Sequence, residues 1–116
     1  MRPIPKPLKA VLEADPFMKK CCIPHCTVKP DWEHCWKYAG RQIGGDHGVE
    51  DWWAIVPMCY PHHQGSMQMF ELNGKMVRSK QYGQWVSLNR GLEIAVINYP
   101  KFNWRQEKRN LDNIFL

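Results

Sequence analysis

The sequence predicts a small α+β fold: a β-hairpin set between two clusters of cysteine and histidine, with helices behind it. Three observations predict it. All five cysteines and all five histidines of the 116 residues lie between Cys21 and His63. Two aromatic-rich, β-prone runs, 31–38 and 52–58, fall inside that stretch. Beyond it, apolar residues recur at roughly helical spacing towards the C-terminus. A hydrophobic content of 44% allows one domain, with a core small enough to gain from a staple. The expected organisation is a Pro-rich basic N-terminal arm over 1–20 and a single domain over 21–116. The domain's core spans 21–75 and its helical part 76–116.

Charge and cysteine usage narrow the class. A net charge of +5, with a pI near 9.0, points to an anionic partner, nucleic acid first. Five cysteines do not form a closed disulfide set, and no apolar run follows Met1–Pro7 as a secretory leader would require. Nothing approaches transmembrane length. The expected location is the cytoplasm, where clustered thiols stay reduced and bind metal more often than they pair.

The elements follow in order. Pro3, Pro5 and Pro7 predict an extended, non-helical arm, with Arg2, Lys6 and Lys9 available to a phosphate backbone. Between Lys9 and Lys20, Val11, Leu12 and Phe17 allow at most one helical turn before Pro16. Cys21-Cys22-Ile23-Pro24-His25-Cys26 is a knuckle-like turn. Asp31 to Tyr38 alternates large and polar residues as a strand does. Residues 39–42 turn the chain, and Gly44 to Gly48 form a loop. Trp52 to Met58 is a buried second strand that Pro57 ends, and Cys59 to His63 opens a helix. Asn73-Gly74 signals a turn that keeps this first helix short. Tyr82, Trp85, Val86 and Leu88 place a helix over Lys80–Arg90, with Gly91 as its stop. Leu92–Asn98 is a further short helix, Tyr99-Pro100 breaks it, and Asn103–Phe115 is a basic amphipathic helix.

The ligand chemistry divides the Cys/His stretch in two. A structural zinc takes four ligands as two close pairs from separated segments. Cys26 with Cys21 or Cys22 supplies one pair, and Cys59 with His62 supplies the other. The Pro-containing turn favours Cys21, with Cys22 left open. Glu33 and His34 are neighbours on the first strand, so their side chains point to opposite faces. That suits a division of labour in which one holds a hard cation and the other takes a proton from water. If His62 turns to the zinc, His63 points the other way and can complete a site with Glu33. Mixed carboxylate and imidazole ligands suit Mg²⁺ or Mn²⁺ on a phosphate.

Other residues carry less. Arg41 either contacts a scissile phosphate bidentately or is a solvated turn residue. His25 and His47 read as surface histidines, Cys35 as core or a substitute ligand, and most of the six tryptophans as core. Lys101, Arg105, Lys108 and Arg109, with Trp104, make the last helix a candidate for backbone contacts.

The order of features from Cys21 to about residue 65 resembles the HNH endonucleases, which have the ββα-metal fold. Tyr38–Gln42 (YAGRQ), Trp53–Cys59 (WAIVP-x-C) and the His62-His63 pair look like small phage and prophage members carrying a structural zinc. The resemblance implies a metal-dependent DNA endonuclease serving recombination, repair or packaging. It would be phage-encoded and act in the host cytoplasm. Its cofactors would be a structural Zn²⁺ and a catalytic Mg²⁺ or Mn²⁺, and its partner DNA. A homodimer or a phage or host protein partner is left open. Residue by residue, it places Glu33 as first metal ligand, where Asp or His is commoner, His34 as general base and His63 as second metal ligand. It matches Cys21 or Cys22, Cys26, Cys59 and His62 to the zinc knuckles, His62 replacing a more usual Cys. One departure stands out. The family's middle Asn should fall near Trp53 and Ala54, and no Asn occurs anywhere from Cys21 to His63. The alternative is therefore a catalytically inactive, zinc-stabilised nucleic-acid-binding module.

Overall fold

Nine residues from Lys6 to Ala14 form helix α1, where three prolines predicted an extended arm. The computed structural model describes residues 4–36 and 48–116. Pro7 lies in the first turn of α1, where its missing N–H would have had no intrahelical partner. Pro5 caps the helix, and its carbonyl accepts from Lys9 N at 2.9 Å. The helix persists because it buries Leu12 against Met18 and Ile55. Asp15 then accepts from Phe17 N at 3.0 Å and starts a 3-10 turn over Pro16–Lys19. The expectation of at most one helical turn ahead of Pro16 is corrected with it.

Strands β1 (Asp31–His34) and β2 (Ile55–Met58) pair antiparallel, with Glu33 opposite Val56 and His34 opposite Ile55. Both are shorter than the alternating pattern suggested. Trp52–Ala54 coils into a 3-10 turn whose first amide, Trp52 N, donates to the Asp51 carboxylate at 2.8 Å. Pro57 does not end β2. It pairs with Trp32 inside a two-stranded sheet, in which every strand is an edge and one N–H is dispensable. Its carbonyl accepts from Cys22 N at 2.8 Å, pinning the Cys21–Cys26 knuckle to the hairpin. Of the expected turn and loop, Tyr38 and residues 39–47 lie outside the described residues.

One helical turn follows directly, α2 over Tyr60–His63. The Asn73-Gly74 signal then belongs to a second hairpin, which the sequence pattern did not predict. Strands β3 (Met69–Leu72) and β4 (Lys75–Arg78) pair antiparallel. Asn73 and Gly74 have φ of 50° and 84°, as the tight two-residue turn of a hairpin demands.

Helix α3 runs Ser79–Asn98 with a break at Gly91, where φ is −135° and ψ 22°. The two helices expected on either side of Gly91 are thus its two halves. A Cβ at Gly91 would lie 2.3 Å from Cβ and Cγ of Trp53, so only glycine lets the helix approach the hairpin here. Helix α4 (Trp104–Phe115) is capped by Asn103, whose side chain accepts from Gln106 N at 3.1 Å. The molecule is thus mixed α+β, with four α-helices and two small antiparallel sheets among the described residues.

The main core lies between the first hairpin, α3 and α4. Trp36, Trp53 and Trp104 are fully buried, with Trp104 edge-on to the other two at centroid distances of 5.1 and 5.6 Å. One hydroxyl ties them to α3: Trp36 Nε1 donates to Ser87 Oγ at 2.9 Å, and Ser87 Oγ donates to the Trp53 carbonyl at 2.7 Å. Gly83 brings the first half of α3 onto Val56 and Met58, close to Glu33.

Candidate metal centre and reaction site

The knuckle before β1 and the turn after β2 converge because Cys22 N is fastened to Pro57 O. Cys21, Cys26, Cys59 and His62 then offer four ligand atoms, all within 4.8 Å of one another. Cys26 Sγ lies 3.7 Å from Cys59 Sγ, and His62 Nδ1 lies 3.1 Å from Cys59 Sγ and 3.8 Å from Cys21 Sγ. A tetrahedral zinc with Zn–S bonds of about 2.3 Å has S···S edges of roughly 3.8 Å, so the Cys26 and Cys59 sulfurs already stand at ligand spacing. Burial pushes the His62 imidazole down, so it is neutral as a ligand must be, and pushes the Cys59 thiol up to about 12, so that this thiol gives up its proton only to a metal ion. A Cys₃His group of this kind can hold a structural metal such as zinc.

The geometry settles the choice left open between neighbouring cysteines. Cys21 belongs to the group, and its sulfur also accepts from Cys59 N at 3.4 Å. Cys22 stands outside it, half-buried, serving through its backbone. Cys35 is buried in the core with Sγ donating to Gly83 O at 3.6 Å, as the sequence suggested. His25 is exposed, again as expected, while Arg41 and His47 lie outside the described residues.

Because His62 turns inward to the thiols, the next residue faces elsewhere. His63 Nε2 lies 3.2 Å from Glu33 Oε1, joining α2 to β1. Glu33 is only 3% exposed, and its Oε2 has no hydrogen-bond partner among the described residues. Burial raises its carboxyl to about 7, against the opposing pull of the Lys80 ammonium. A buried carboxylate with one orphaned oxygen beside an imidazole is a donor pair of the kind a divalent cation can take. His34 is the last residue of β1, half-buried, on the opposite side of the strand from Glu33. Where an orienting amide was sought, Trp53 and Ala54 are fully buried, and neither carries one.

Compared with protein-family models, curated proteins and solved structures, the chain matches none.

One feature of this region is not visible in the sequence pattern. A cleft of about 550 Å³ opens beside His62 and His63, walled by the end of β4 and the first turns of α3. Arg78, Lys80, Gln81 and Gln84 line it. The local signal is Arg78-Ser79-Lys80 at a helix start, but only the fold carries that start to His63. Ser79 makes the connection: its Oγ donates to the carbonyl of His62 and, at 3.0 Å, to that of Gln68.

Arg105, Lys108 and Arg109 of the last helix each have a partner within the chain. Trp104 is core. Arg105 makes two bonds to Glu93 at 3.0 and 3.1 Å, Lys108 reaches Asp112 at 2.7 Å, and Arg109 reaches Gln106 at 2.9 Å. No described helix is long and apolar enough to cross a membrane.

Proposed function

We propose that the chain is a metal-dependent DNA endonuclease of the HNH type, hydrolysing phosphodiester bonds. The observation that carries the reading is the meeting of Glu33 and His63, 3.2 Å apart, beside a separate Cys₃His group. Glu33 and His63 would hold Mg²⁺ or Mn²⁺, and the Cys₃His group a structural zinc. The divalent ion, when bound, neutralises charge developing on the phosphodiester and its leaving oxygen. His34, at the end of β1, takes a proton from the attacking water, a role suited to an imidazole near neutral pH. Glu33 keeps a carboxylate oxygen aimed away from solvent, and Ser79 holds the α2 backbone so that His63 faces it. The excess of positive charge supports a nucleic-acid substrate.

A plasmid-nicking assay with Mg²⁺ or Mn²⁺ tests the reading. Wild-type protein should nick, and His34→Ala should lose roughly 10²–10⁴-fold in rate while still shifting DNA on a gel. If both proteins shift DNA and neither nicks it, the chain is a zinc-stapled binding module without catalysis.

A further inference from the structure

The cleft beside His63 has an unusual wall. Two cations, Arg78 and Lys80, line it together with Gln68, Gln81 and Gln84, and among the described residues no Asp or Glu does. Neither cation has an ion-pair partner among the described residues, whereas Arg105 and Lys108 of α4 are both paired. Arg78 and Lys80 are exposed, so packing does not require them. Their position works against local stability. Arg78 is the N-cap residue of α3 and Lys80 lies in its first turn, at the positive end of a 20-residue helix, with no acidic residue there in compensation. A cation in that place costs the helix a little and raises the positive potential of the cleft. Cations set against a helix dipole, in a groove where the nearby carboxyl, Glu33, is buried and held up to about 7, are what a polyanion would select. Gln84 is already engaged, its Nε2 donating to Cys35 O at 3.2 Å, and Gln68 Nε2 donates to Gly65 O. Gln81 lines the cleft and makes no hydrogen bond among the described residues.

We propose that this cleft is a phosphate track, in which Arg78, Lys80 and Gln81 seat a backbone phosphate neighbouring the one held at Glu33 and His63. The proposal rests on the nuclease reading and extends it. These three are positioning residues: they fix where the strand lies and take no part in moving protons. Substrate would be gripped on the α3 side of the scissile bond, and the basic face of α4 would contribute little.

The test uses the zinc-loaded full chain and a fluorescein-labelled DNA duplex, with binding read by anisotropy over a salt series, no Mg²⁺ added. The double variant Arg78→Gln/Lys80→Gln should flatten the slope of log K against log salt by about 0.9, for the one phosphate left without its cations. Lys101→Gln/Arg109→Gln removes the same charge elsewhere and should leave the slope within about 0.5 of wild type. Equal effects from the two pairs would overturn the track, since net charge alone would explain them. A second variant separates binding from folding. Gln81→Glu puts a carboxylate in the first turn of α3, which the dipole favours, so the melting temperature should hold or rise while DNA affinity falls about tenfold or more. Unchanged affinity in Gln81→Glu overturns the proposal. With Mg²⁺ or Mn²⁺ present, Arg78→Gln/Lys80→Gln should raise KM with kcat little changed. Nicking by wild type with binding insensitive to all three positions removes the track and leaves the nuclease reading. Track-dependent binding without nicking does the reverse.

Discussion

His63 Nε2 stands 3.2 Å from Glu33 Oε1, and the carboxyl it meets is one that burial keeps near the edge of neutrality. The pair joins a one-turn helix to a four-residue strand, elements too short to place side chains unaided. Placement comes from His62 next door, locked among three thiols.

That carboxyl makes stability depend on pH in a direction opposite to most acidic groups. Its pKa rises from 4.5 to about 7 on folding, so the neutral form is the stable one in the fold. The stability it lends is fully present below pH 4.5 and is lost as pH climbs through about 7. The gap corresponds to roughly 3 kcal/mol. With zinc retained and no other divalent ion added, the melting temperature should fall between about pH 5 and pH 8. Glu33→Gln should remove that fall, and Mn²⁺ at about pH 8 should restore stability in wild type only. A melting temperature equally pH-dependent in Glu33→Gln would refute the assignment.

The two neighbouring cysteines of the knuckle should behave differently from each other. Cys59→Ser breaks the Cys₃His group, whose metal-binding energy is of order 10 kcal/mol and exceeds what a domain of this size can lose. It should yield unfolded, zinc-free protein, as should Cys21→Ser. Cys22→Ser leaves all four candidate ligands in place and should bind about one zinc per chain, the content expected of wild type. Metal analysis with far-UV circular dichroism distinguishes them. Zinc loss in Cys22→Ser, or a folded zinc-free Cys59→Ser, would count against the staple.

Two glycines should respond to alanine by different routes. At Gly91 the new methyl would strike the buried Trp53 side chain at 2.3 Å, so overpacking should cost roughly 3 kcal/mol. At Gly74 nothing lies within 4 Å, and the cost is backbone strain at φ +84°, about 1 kcal/mol. Urea denaturation should rank Gly91→Ala well below Gly74→Ala. The reverse order would mean that the helix break does not depend on the tryptophan.

What could be read from the sequence was what ligand chemistry and local periodicity control. Cys26, Cys59 and His62 fall into pairs by spacing, and Glu33 and His63 are brought together by alternation along a strand and between adjacent histidines. Gly91 is legible as a helix break, although its reason, the face of Trp53, is not. The errors have a common cause. Pro7 looks like a helix breaker, yet in a first turn it is harmless, and the burial of Leu12 that makes α1 worthwhile is tertiary. The β3–β4 hairpin escapes notice because four-residue strands offer too little alternation to register, even beside an Asn-Gly turn. Arg78 and Lys80 look like ordinary helix surface, since nothing local says that α3 begins at the edge of a distant histidine pair.

Ser87 gives the molecule a seam. Its hydroxyl takes the Trp36 N–H and gives its own proton to the Trp53 carbonyl, so both ends of the segment between those tryptophans are latched to α3. Val49 N donates to the Trp36 carbonyl at 3.2 Å and doubles the latch. Trp36, Val49, Trp53 and Ser87 thus close the stem of the first hairpin with bonds that the four-residue pairing of β1 and β2 does not itself supply.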